Sequence, residues 1–127
     1  PAEVVERQFA KMAALWKPGL AVLEKAVAAA PAGKKRGAAM DLAIARTCYH
    51  HFQSVANQVE FYRLRDSGGG GARMRELVRD ELALARAQFA EARQWPVIGY
   101  EASNHYYYTP LDLVEKVVQC RRLLEEL

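Results

Sequence analysis

The chain has 127 residues, 51% of them hydrophobic, which is ample for one core and near the commonest single-domain size, so one helical domain spanning 1–127 is expected. Its 18 basic and 15 acidic residues leave a formal net charge of +3, and the signs alternate within segments such as Arg75-Glu76-Leu77-Val78-Arg79-Asp80-Glu81. That is the pattern of solvated helix faces and argues against a nucleic-acid partner, which would select a one-sided basic stripe.

Val5, Phe9, Met12 and Trp16 recur at helical spacing and predict a first helix. Lys17-Pro18-Gly19 interrupts it, so Pro18 either begins a second helix or kinks a continuing one. Leu20, Leu23, Val27 and Ala30 carry the next helical face, and Pro31-Ala32-Gly33 signals a loop. The longest helix is expected over about 36–65, with Leu42, Ala45, Tyr49, Phe52, Ala56, Val59 and Tyr62 on one face. Ser67 and Gly68-Gly69-Gly70-Gly71 end it and form a connector too short to divide two domains. Met74, Val78, Leu82, Ala85, Phe89 and Ala92 predict the following helix, which Trp95-Pro96 stops.

Residues 96–109 have no helical period. Thr109-Pro110-Leu111-Asp112 then reads as a strong helix start, with a hydroxyl cap, a proline at the first helical position and a carboxylate at the positive end of the dipole. Leu113, Val117, Cys120 and Leu124 continue that helix. The expected fold is therefore all-α, an up-and-down bundle of four to five helices with one long irregular loop before the last helix and no defensible strand.

Two features hold polar groups that folding alone explains least easily. Arg46, His50, Gln53, Asn57 and Glu60 follow increments of four, three, four and three, so they share one face of the long helix. Histidine, glutamine and asparagine suit hydrogen bonding to a partner or ligand; the alternative is a solvent face or a buried polar seam between helices. The second feature is the stretch from Glu101 to Tyr108, where Asn104 and His105 precede Tyr106, Tyr107 and Tyr108. Flat aromatic faces stack on sugar rings, and Asn, His and Glu hydrogen-bond hydroxyls; alternatively the tyrosines pack the loop onto the bundle. The two features are expected to lie close together.

Other chemistry finds little footing. Cys48 and Cys120 sit far apart among apolar helical positions, as buried free thiols do. The three histidines, His50, His51 and His105, form no HExxH, and no paired CxxC is present, so no metal site, cofactor or catalytic residue is expected. No run of about 18 apolar residues exists, so no membrane partner is expected. Arg46-x-x-x-x-His51 resembles the arginine–histidine pair of HEPN-type ribonucleases, but an increment of five puts the two about 140° apart on a helix.

The block Ile98-Gly99-Tyr100-Glu101-Ala102-Ser103-Asn104-His105-Tyr106-Tyr107-Tyr108, with Asp112-Leu113-Val114-Glu115-Lys116-Val117-Val118 and Cys120 after it, resembles the C-terminal helical region of bacterial glycoside-hydrolase-like proteins. His50-His51-Phe52, Ser54-Val55-Ala56-Asn57-Gln58-Val59 and Phe61-Tyr62 resemble the same region, so the likeness runs from about Ala38 onward. Gln119, Trp95-Pro96 and the four glycines depart from its pattern. The resemblance implies a non-catalytic C-terminal module of a larger protein, whose partner is the catalytic domain of the same polypeptide and whose ligand is carbohydrate. The opening Pro1-Ala2-Glu3, which passes at once into a helical pattern, agrees with a cut made ahead of a helix. A stand-alone interaction bundle is the alternative. On the first reading the binding groups are Glu101, Asn104, His105, Tyr106, Tyr107 and Tyr108 with Arg46, His50, Gln53 and Asn57.

Overall fold

The computed structural model describes residues 1–101, 106–107 and 109–127, the side chains of Tyr100, Glu101, Tyr106 and Tyr107 excepted. It is an all-α bundle of four helices: α1 (Ala2–Ala28), α2 (Lys35–Asp66), α3 (Gly71–Gln94) and α4 (Pro110–Glu126). Short 3-10 turns at Ala32–Lys34 and Pro96–Gly99 fill two of the connections. Between the second turn and α4, β1 (Tyr100–Glu101) and β2 (Tyr106–Tyr107) pair antiparallel, Tyr100 opposite Tyr107 and Glu101 opposite Tyr106. These strands carry no periodic signal, because two residues are too few to show an alternating period.

Of the two readings of Pro18, a new helix or a continuing one, the helix continues. Pro18 lies inside α1, which runs on without a break to Ala28. The long helix, the one after the glycines and the last are where the periodicity puts them. Thr109 caps α4 as expected: its hydroxyl accepts from the Asp112 amide at 3.3 Å, while the Asp112 carboxylate accepts from the Thr109 amide at 3.1 Å. Between α2 and α3 the chain turns through Gly68 and Gly70, at φ +71° and +84°. At Gly70 a side chain would also meet Leu64 at 3.0 Å, so both backbone and space demand glycine.

Consecutive helices run antiparallel. Glu6 meets Arg63 and Glu24 meets Arg46 across α1 and α2; Glu60 meets Arg73 and Arg46 meets Glu91 across α2 and α3. The extensive contacts are sequential, α1 on α2, α2 on α3 and α3 on α4. The core lies along these seams. Five of its eleven buried hydrophobic side chains are alanines, namely Ala13, Ala43, Ala56, Ala85 and Ala92, which let the helices approach closely. Leu77 is the one large side chain among the described residues that is fully buried.

On α3 the packing differs from the pattern of apolar residues. Met74, Val78, Ala85 and Ala92 are buried as expected, but Leu82 and Phe89 are only half-buried. Glu81 and Gln88 take the interior places instead, with Leu77.

Candidate functional site

The stripe on α2 is engaged inside the bundle. Arg46 donates to Glu24 of α1 at 2.8 Å and to Glu91 of α3 at 3.1 Å, tying three helices together. His50 Nδ1 lies 2.8 Å from Gln88 Oε1, and the Gln88 amide donates to Thr47. The carbonyl of Gln88 accepts, so the ring proton sits on Nδ1. Gln53 donates to Asn57 at 2.8 Å, and Asn57 donates to Glu81 at 2.9 Å. Glu60 accepts two hydrogen bonds from Arg73, at 2.7 and 2.9 Å, and that guanidinium holds the Glu60 carboxyl below its ordinary value.

At the centre of this seam sits the Glu81 carboxylate, 7% exposed. Ser54 donates to one of its oxygens at 2.7 Å and Asn57 to the other, while Lys116 of α4 pairs with the first. Lys116 also donates to Ser54 at 2.9 Å, as does Gln58 at 2.8 Å. Every buried side-chain nitrogen and oxygen among the described residues has a partner. A buried carboxylate is tolerated only when paired and hydrogen-bonded in this way.

Glu81, Gln88 and Lys116 were not among the residues the sequence singled out. A sign of the first two is present in it: they complete the 74, 78, 81, 85, 88, 92 series, so two polar residues stand on the face that must be buried. Lys116, the partner of Glu81, had no such sign, because the register between α3 and α4 is a tertiary fact.

Of the expected binding groups, the side chains of Glu101, Tyr106 and Tyr107, and Asn104, His105 and Tyr108 altogether, lie outside the described residues, as does their distance from the α2 stripe. The ribonuclease pair diverges as the helical angle requires. Arg46 faces Glu24 and Glu91, whereas the His51 ring packs edge-on against Phe9 with ring centres 6.3 Å apart. Cys48 and Cys120 are free thiols, and burial pushes the Cys120 thiol up from its ordinary value. Among the described residues no cluster of three His, Cys, Asp or Glu side chains is placed to hold a metal, and no helix is long and apolar enough to cross a membrane.

Among the grooves that open on the described residues, two are bordered by α4 and carry apolar lining. One, of about 300 Å³, lies between α2 and α4 over Leu77, Val78 and Cys120. The other, of about 260 Å³, lies on the outer face of α3 and α4 and is almost wholly apolar. Beside it Leu111, Val114 and Val118, spaced three and four apart, are 68%, 45% and 60% exposed. On α1, Val4, Leu15 and Val22 share a second exposed face, since increments of eleven and seven return to one side of a helix.

No family model, no curated protein and no solved structure matches the chain.

Proposed function

We propose that this chain is a non-catalytic helical module that works by packing its open faces against another folded unit. One observation carries the reading. The two outermost helices each have their extensive contacts with one neighbour and carry large apolar side chains outward, Val4, Leu15 and Val22 on α1 and Leu111, Val114 and Val118 on α4. On α4 the increments of three and four make these side chains neighbours, and adjoining exposed apolar surface of this kind marks an interaction face, whereas on α1 Lys11 and Pro18 stand between the apolar residues. Among the described residues, by contrast, the polar groups best suited to chemistry are engaged with one another.

The resemblance supplies the expected identity of the covering unit: the catalytic domain of a bacterial glycoside hydrolase in the same polypeptide, with residues 101–108 at the rim of its carbohydrate cleft. The test has two parts. The native polypeptide that carries this sequence should have a mass several times 14.2 kDa, and the isolated chain should hydrolyse no member of a glycoside panel. A native mass near 14.2 kDa would remove the glycosidase partner and leave the alternative, a stand-alone interaction bundle, which the same apolar faces support. Turnover by the isolated chain would overturn the non-catalytic reading altogether.

A further inference from the structure

The alternation of charge along α3 disappears once the helix is wound. At 100° per residue, Arg75, Arg79, Arg86 and Arg93 fall within an arc of about 40°. The acids of the same helix, Glu76, Asp80, Glu81 and Glu91, lie about 100–240° round from Arg75. Three of those acids are engaged elsewhere, Glu76 with Arg73, Glu81 with Lys116 and Glu91 with Arg46. Among the described residues no ion pair engages any of the four arginines. Arg79, Arg86 and Arg93 are exposed and Arg75 is half-buried. The row therefore runs for about 27 Å along one side of the bundle with no ion pair along it among the described residues.

The row reaches the outer apolar groove at Arg86. Arg86 and Phe89 of α3 line it, facing Leu113, Val114, Val117 and Val118 of α4. Arg121 continues the Val114 and Val117 face of α4 one turn beyond the groove's lining, and it too has no ion pair among the described residues.

Resting on the docking reading above, we propose that the α3–α4 groove receives an acidic amphipathic helix of the folded unit that covers it. Two antiparallel helices offer a third a groove of fixed direction, and an apolar helical stripe laid into it would cover Val114, Val118 and Phe89. Carboxylates flanking that stripe would meet the guanidiniums, whose planar forks suit carboxylate oxygens. The row matches a partner helix of about 18 residues, also about 27 Å long. A phosphate backbone would meet the arginines but leave the apolar floor without a complement. A second copy offering its α1 face is disfavoured by like charge, because Arg7, Lys11 and Lys25 flank Val4, Leu15 and Val22.

The test titrates the chain with two synthetic 18-residue helical peptides that share one Leu/Val stripe, flanked by Glu in the first and by Lys in the second. An 18-nucleotide RNA strand and a DNA duplex of equal length are run alongside. The Glu peptide should bind about tenfold or more tightly than the Lys peptide, and more weakly as salt is raised. Arg79→Glu with Arg86→Glu, surface changes checked for unchanged helicity, should reverse the preference. Val118→Asp should abolish binding of both peptides. Equal affinity for the two peptides, binding of neither, or indifference to the arginine changes would overturn the proposal. So would tighter binding of the RNA or the duplex than of the Glu peptide, or self-association that Val118→Asp removes. The outcome is separate from that of the native mass: a large native polypeptide whose groove ignores the Glu peptide would leave the module reading standing and remove this one.

Discussion

At Glu81 a single carboxylate holds three helices. Ser54 and Asn57 reach it from α2 and Lys116 from α4, while the residue itself belongs to α3. Removing the acid strands an ammonium and an amide that lie beside little water. Breaking a buried pair from one side costs about 3–5 kcal/mol. Lys116 keeps some access to solvent, so Glu81→Ala should lose about 2–3 kcal/mol in urea unfolding. Glu81→Gln keeps an acceptor for Asn57 and should lose less. A loss for Glu81→Ala under about 1 kcal/mol would show that the three helices do not depend on this carboxylate. Glu60 offers a pH-dependent counterpart. Arg73 holds its folded value below the ordinary 4.5, so the unfolded chain takes up a proton first as pH falls. The stabilisation from Glu60 is then fully present above 4.5 and fades as pH falls through the lower folded value. The stability difference between the wild type and Glu60→Gln should be constant at neutral pH and shrink in that acid window. A difference that grows on acidification would contradict the assigned direction.

At the scale of elements, a residue's local preference yields to the neighbour it packs on. Pro18 reads as a break, and in isolation a proline inside a helix costs about 3 kcal/mol. Yet α1 runs through it, because contacts on both sides hold it to α2. Phe9 packs against Phe52, and Trp16 donates its indole N–H to the Ala45 carbonyl at 2.8 Å and meets Phe52 edge-on. Beyond Pro18, Glu24 is fixed by Arg46. Pro18 is itself exposed and supports nothing, so Pro18→Ala should raise stability by about 1–3 kcal/mol, read as a higher urea midpoint with an unchanged slope. A destabilised variant would mean that α1 needs a kink there. The long helix, the helix after the glycines and the capped last helix were legible because each shows several turns of one period or a full start signal. Pro18 was misleading because the packing that overrides it is not encoded near it.

For the whole molecule, what the sequence concealed is direction. It showed Arg46, His50, Gln53 and Asn57 on one face, but whether that face meets solvent, a ligand or another helix depends on where α1 and α3 lie. It showed charge evenly mixed, and only the winding of α3 separates the arginines from the acids. The sequential packing also predicts how the bundle comes apart. Since α1 has its extensive contacts with α2 alone, its amides should exchange with solvent through openings that leave α3 and α4 folded. Arg46 is the side chain that limits such openings, because one guanidinium grips Glu24 on α1 and Glu91 on α3 together. Its side chain is 38% exposed, so its pairs are partly screened and Arg46→Ala should cost only about 1 kcal/mol globally. The loss should nevertheless be uneven. In hydrogen exchange, α1 amides around Glu24 should lose more protection than those around Leu77, which sit in the α3 seam and report opening of the whole bundle. Equal losses at both places would mean that the four helices open as one unit and that α1 is no separate layer.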